Sequence, residues 1–365
     1  MKIVIAPDSF KGSASSTDVC TWIESGIHSV IPDCETVKIA IGDGGEGSLD
    51  AVLGAGFTAI ECEVLGPVGN RVTAQISING DTAFIEMAQA SGLSQLPGGV
   101  KSALTSSSFG TGELILAAID RGVSRIILGV GGSATTDAGA GALQALGAKL
   151  LDKDGNDIQP GGAALSSCTH IDISGLDPRI AKISFTLASD VTNPLLGPEG
   201  TAHVFAPQKG ATPADVEVLE QSLTEFASLV GGDFASLPGA GAAGGFGFMA
   251  YAFLNAQAQS GIDVILDLVG FDSHLAGADY VITGEGKFDS QSIKGKAPWG
   301  IMKRAQKLKI PTFLVCGDAD IQQGSDFTEI LTLTSLESDI DKCINNPAPL
   351  VTQLGAKIAQ SIQKF

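Results

Sequence analysis

Residues 126–146 read IILGVGGSATTDAGAGALQAL, and this stretch decides the class of fold to expect. Ile126, Ile127 and Leu128 form an apolar run too short for a helix and rich in β-branched residues, which predicts a buried strand. The chain then breaks at Gly129, Gly131 and Gly132 and passes Ser133, Thr135, Thr136 and Asp137. A small-residue helix follows, with Leu143 and Leu146 three apart and Gly147 as its stop. Strands that end in glycines and hydroxyls and run into a helix start are how α/β proteins build anion sites. Glycine lets the backbone approach a ligand, and the first helical turn offers unpaired N–H groups at the positive end of the dipole. A tight βα turn before a capped helix would account for one such loop on its own.

The chain has 365 residues, which suits two α/β domains and a large core. With 47 glycines, 5% aromatic and 44% hydrophobic residues, it reads as a packed α/β protein with many tight turns and not as a disordered chain. The net charge of −18 argues against nucleic acid or an anionic membrane as partner. An anionic ligand would therefore require the few lysines to be concentrated at its site. The six cysteines include no CxxC pair and no histidine at zinc spacing, so they fit a reduced compartment. The opening MKIVIAPDS carries too short an apolar stretch for a signal peptide, and no run approaches transmembrane length. A cytoplasmic protein is expected, its oligomeric state left open.

Outward from the central stretch, residues 2–6 form a first strand with 7–12 as its exit loop. A helix from about Ser16 carries Val19, Trp22, Ile23, Ile27 and Val30 on one face. Val37, Ile39 and Ile41 mark a second strand, which ends in GDGGEG at 42–47 before a further helix. This βαβα opening predicts a parallel sheet with right-handed crossovers. The pattern then changes. Residues 57–65, 71–78 and 82–86 are extended runs separated by Gly66-Pro67 and by the hairpin signal Asn79-Gly80. A domain boundary is therefore placed near Gly66. Strands at 280–283 and 312–316 flank a helix at 298–308, a second βαβ that pairs with the first in a discontinuous domain. The predicted domains are 1–66 plus 279–365, and 67–278.

Five strand-end segments share glycine, hydroxyl, carboxylate and sometimes lysine: 7–12, 42–47, 129–137, 189–197 and 283–295. Ligands of open α/β sheets bind outside the carboxyl ends of strands, so such loops can converge on one site. The familiar signatures are absent. A Walker A loop around Gly295-Lys296 would need glycine at Ser290 and a hydroxyl at Ala297, and GxGxxG fails at Ala134. His28, His170, His203 and His274 all lie outside these loops, so carboxylates and lysines must carry the chemistry. Phosphoryl transfer needs little else: positioning, Mg²⁺ on one or two carboxylates, cations on the phosphates and a base for the incoming hydroxyl.

APDSFKG at 6–12, GDGGEG at 42–47 and GVGGSATTDAGAG at 129–141 resemble the class I glycerate kinase family. So do ASDVTNPLLGPEG at 188–200, PQKGA at 207–211, GAGAAGG at 239–245 and TGEGKFDSQSIKGKAP at 283–298. The blocks keep family order over nearly the whole chain. Thr136 and Ala138 stand where the family leads one to expect Asn and Gly, and Lys287 and Phe288 where Arg and an aliphatic residue are usual. The resemblance implies an α/β fold of two domains, one Rossmann-like with a parallel sheet and one with a mixed sheet, the active-site cleft between them. It also implies phosphorylation of D-glycerate by ATP and Mg²⁺, usually at the 2-hydroxyl, giving 2-phosphoglycerate. Phosphorylation of another short hydroxy acid, or anion binding without turnover, are the competing readings. The failed GxGxxG speaks against a dinucleotide-dependent oxidoreductase.

Asp190, just after a strand predicted at 183–187, is the candidate base for the acceptor hydroxyl, with Lys11 and Asp43 as further catalytic candidates. Asp8, Ser9, Gly44, Gly45, Gly131, Gly132, Ser133, Thr135 and Asn193 are candidates for substrate or phosphate binding. Lys209, Lys287 and Lys296, with Lys294, are candidates for neutralising phosphate charge. Glu46, Asp137, Glu285 and Asp289 are candidate metal ligands. An Asx turn at Asp190, helix-terminal charge at Glu46 and solvated surface lysines are the plainer explanations of the same residues.

Overall fold

The computed structural model describes all residues except Asp43, Glu46, Gln291, 321–325, Phe365 and the Lys294 side chain. It divides into two compact units: Met1–Asp43, Asp50–Gly56 and Ser260–Phe365 form unit 1, and Gly44–Leu49 with Phe57–Gln259 form unit 2. The strands are β1 (Lys2–Ile5), β2 (Glu35–Lys38), β3 (Thr58–Leu65), β4 (Arg71–Asn79), β5 (Thr82–Glu86), β6 (Arg125–Gly129) and β7 (Lys149–Leu151). They continue as β8 (His170–Asp172), β9 (Ser184–Ala188), β10 (Gln257–Gln259), β11 (Tyr280–Phe288), β12 (Thr312–Ala319) and β13 (Glu329–Thr332).

Unit 1 is a five-stranded sheet in the order β13-β12-β11-β1-β2, with every pairing parallel. The N-terminal strands and the late βαβ thus share one sheet. Strands of a parallel sheet are covered on both faces, so they read as unbroken apolar runs. On β12, Phe313 and Val315 join the core made with helices Ser16–His28 and Pro347–Ile362. Leu314 and Cys316 face the other way, toward Met302 of helix Ala297–Lys307 and Phe288. The period-2 alternation of the strand feeds two separate cores. At the carboxyl edge, the Ser16 hydroxyl donates to Pro7 O (2.7 Å) and accepts from Ile41 N (3.1 Å), tying the exit loops of β1 and β2 together.

Unit 2 is built on a mixed sheet in the order β10-β9-β6-β5-β4-β3. Strands β3, β4 and β5 pair antiparallel, turning at Asn79-Gly80, whereas β5, β6, β9 and β10 are parallel. The central strand β6 is the apolar run quoted at the outset, with Ile126, Ile127 and Leu128 at most 2% exposed. The units divide at 43/44, 49/50, 56/57 and 259/260, whereas the sequence pattern put boundaries at 66/67 and 278/279. Strand β3 goes with its antiparallel partner β4 because the pairing runs its whole length, from Thr58 opposite Ile78 to Leu65 opposite Arg71. No helix among the described residues is long and apolar enough to cross a membrane.

Candidate functional site

In unit 2 the loop after β6 is held by backbone contact that only glycine permits. A Cβ on Gly129 would lie 2.7 Å from Gly44 O, and one on Gly131 would lie 2.5 Å from the Gly45 Cα. Gly44 and Gly45 are thus pressed main chain to main chain against the central loop, and Gly44 N donates to the Ser48 hydroxyl (2.9 Å). Asp43 and Glu46, expected in this site, lie outside the described residues. Gly132 turns the loop at φ +73°, a region where a side chain is strained.

The helix that follows, Ala140–Ala145, does not offer an open anion site. Its first N–H groups are already taken: Ala140 N by Asp137 O, Gly141 N by the Asp137 carboxylate and Ala142 N by the Ser108 hydroxyl. The Asp137 carboxylate is fully buried and accepts from Gly139 N (3.2 Å), Gly141 N (3.2 Å), Ser108 N (2.7 Å) and the Ser108 hydroxyl (2.8 Å). Asp137 was a candidate both for a metal and for capping the following helix; its oxygens are committed to the loop and the helix start. Burial raises its pKa and these four hydrogen bonds lower it, the burial effect being the larger. Ser108 was not foreseen. It donates to Asp137 and accepts from Ala142 N (3.0 Å), and its sequence context of Ser106-Ser107-Ser108 carried no signal beyond a loop.

Lys209 braces the other side of the loop. It is only 2% exposed, and its ammonium donates to the Ser133 hydroxyl (2.9 Å) and to Thr135 O. Burial pushes its pKa down to about 7, partly opposed by the nearby Asp137 charge. Expected to neutralise phosphate charge, Lys209 instead spends its ammonium on the loop as a buried brace. Under it, the Thr135 and Thr136 hydroxyls are buried without hydrogen-bond partners among the described residues. Ala138 adopts φ +52°, a conformation that glycine would take at lower cost. Asp190 is exposed two residues past the end of β9, at the same sheet edge as the end of β6. The Asn193 amide, expected to bind substrate, donates to Glu199 O (2.7 Å) and closes its own loop.

In unit 1 the carboxyl ends of β1, β11 and β12 meet around a pocket of about 450 Å³. Asp8, Ser9, Lys11, Glu285, Lys287 and Lys296 line it, all six foreseen from the sequence. Asp318, next to last in β12, lines it too and was missed, although Gly317-Asp318 directly follow the strand expected at 312–316. Gly284 and Gly317 let β11 and β12 approach: a Cβ would meet Val315 O at 2.4 Å and Gly286 O at 2.3 Å, respectively. Glu285 is 5% exposed; its Oε2 lies 3.6 Å from the Lys296 ammonium and its Oε1 has no hydrogen-bond partner among the described residues. Burial raises its pKa, offset in part by the Ser292 hydroxyl and the Lys296 charge. Asp289 is not among the lining residues; its main-chain N–H donates to the Ser292 hydroxyl (3.0 Å).

A pocket of this size joins three cations to three carboxylates, which suits a polyphosphate with a divalent cation. The glycerate kinase family model matches residues 3–363. The chain belongs to the glycerate kinase family. It is 47% identical to the glycerate kinase of Bacillus subtilis strain 168, over 100% of this chain and 98% of that protein. It is 46% identical to the glycerate 2-kinase of Escherichia coli K12, over 87% of this chain and 85% of that protein. A crystal structure from Salmonella typhimurium LT2 superposes with a TM-score of 0.86 at 43% identity, covering 100% of this chain and 98% of the other.

Proposed function

We propose that the protein is a cytoplasmic enzyme transferring the γ-phosphoryl group of Mg-ATP to the 2-hydroxyl of D-glycerate, giving 2-phosphoglycerate and ADP. The family match across residues 3–363 carries this reading. The site chemistry supports it from the other side, since no histidine lines the unit 1 pocket and phosphoryl transfer can run on carboxylates and lysines. Lys11, Lys287 and Lys296 neutralise phosphate charge in unit 1. Asp190 takes the proton of the acceptor hydroxyl as it attacks, a role worth roughly 10²–10⁴-fold in rate. Asp137 and Lys209 keep the 131–137 loop in one conformation, so that Ser133 and the Thr135 hydroxyl meet the acceptor without reorganisation.

The unpartnered Glu285 Oε1 fits a magnesium site shared with substrate, and Asp8 and Asp318 line the same pocket. No group of three or more His, Cys, Asp or Glu side chains among the described residues is gathered for a metal, and Mg²⁺ is ordinarily bound by one or two carboxylates with phosphates and water. When bound, the ion neutralises charge on the transferring phosphate. The test is a coupled ADP-release assay with Mg-ATP and D-glycerate, L-glycerate or glycolate. Turnover with D-glycerate alone is expected; turnover with glycolate in its place would reassign the acceptor, and none with any acid would leave an anion-binding protein.

A further inference from the structure

The pocket of unit 1 has a second set of lining residues that phosphate chemistry leaves unused. Phe10, Leu333, Ile340, Cys343 and Ile344 line it alongside the charged groups. The two sets come from different places. The charges sit in the loop after β1, in the carboxyl-terminal halves of β11 and β12, and at Lys296 just ahead of helix Ala297–Lys307. All but one of the apolar residues belong to the segment after β13, through the turn Leu333–Ser335 and helix Ile340–Asn345. Two hydrogen bonds join the sets: the Thr334 hydroxyl donates to the Asp318 carboxylate (3.0 Å), and the Ser13 hydroxyl donates to Ile344 O.

Helix Ile340–Asn345 buries Cys343 at 5% exposure but leaves Ile340 61% and Ile344 44% exposed. A three-carbon acid would fill a fraction of this space and has no apolar face to offer it. An inorganic polyphosphate would satisfy the lysines and leave the isoleucines in water. A purine nucleotide matches both sets at once, its phosphates among Lys11, Lys287 and Lys296 and its base on an apolar surface.

We infer that unit 1 is the nucleotide-binding unit and that Ile340 and Ile344 form the shelf on which the purine lies, with the polyphosphate and its divalent cation at Glu285, Lys287 and Lys296. This rests on the phosphoryl-donor reading above and assigns the donor to one unit. Three independent features support it: a pocket larger than the acceptor, a nearly buried carboxylate oxygen without a partner, and two exposed isoleucines on its wall.

Isothermal titration of MgADP and of magnesium tripolyphosphate, without glycerate, tests the assignment on the full chain and on Ile340→Ser/Ile344→Ser. The expected result is a loss of tenfold or more in MgADP affinity with tripolyphosphate affinity unchanged. Lys287→Met/Lys296→Met should weaken both ligands. Unchanged MgADP affinity in the isoleucine variant would overturn the shelf, and so would an equal loss for both ligands. Loss of the shelf with glycerate turnover intact in the wild type would leave the kinase reading standing. MgADP binding that depends on the isoleucines, without glycerate turnover, would keep the shelf and sink the acceptor.

Discussion

Lys209→Met removes a buried ammonium while keeping the length and most of the volume of the side chain. In the folded protein Lys209 is 2% exposed and titrates near pH 7, against 10.5 for the group in water. Well below pH 7 both folded and unfolded chains carry the proton, and the cost of burying the cation is present in full. Between pH 7 and 10.5 the unfolded chain holds a proton that the folded chain has released, so stability rises with pH across that window. A fully developed difference of one pH unit is worth about 1.4 kcal/mol. Wild type should therefore gain on the order of 2–3 kcal/mol relative to Lys209→Met between pH 6 and pH 9. Urea unfolding of both proteins at several pH values measures it, and taking the difference cancels the cysteines and other shared titrations. A wild-type-minus-variant difference that stays flat within about 0.5 kcal/mol from pH 6 to 9, with equal m-values, would refute the buried-cation account of this loop.

Asp137→Ala strips the acceptor from Ser108, Gly139 and Gly141 and leaves Lys209 without its neighbouring anion. Denaturant unfolding should show a loss of about 3–5 kcal/mol, and a loss below 1 would mean that the carboxylate is dispensable. Gly244→Ala should destabilise by at least ~2 kcal/mol, since Gly244 sits at φ +74° and its Cβ would lie 1.9 Å from Thr135 O; an unchanged melting temperature would contradict that packing. Asp190→Asn should lower kcat by roughly 10²–10⁴-fold with KM for ATP unchanged, as expected for a group that acts on the acceptor proton alone. A kcat within threefold of wild type would remove Asp190 as the base.

The sheets were legible because strand alternation and hairpin signals are local. β12 shows this well: its alternate residues feed two cores, and the apolar run at 312–316 was enough to place it. The glycines of the central loop were legible as a demand for close approach, but what approaches Gly129 and Gly131 is the backbone of Gly44 and Gly45, which no local pattern reveals. The same limit applies to Asp137 and Lys209. A carboxylate and a lysine in glycine-rich loops signal charge chemistry, yet whether each side chain faces a ligand or the interior is set by tertiary packing. Asp318 was within reach, since it obeys the strand-end rule that found Glu285. Ile340 and Ile344 were not, because a six-residue helix with charged neighbours carries too weak a period to show which face is apolar.

The most direct test is phosphorus NMR of the product formed from D-glycerate and Mg-ATP by the purified protein. The account predicts ADP and a single new phosphomonoester, 2-phosphoglycerate, with no product when magnesium is removed by EDTA. A resonance of 3-phosphoglycerate would contradict the assigned acceptor hydroxyl, and ATP left intact by folded protein would contradict the kinase itself.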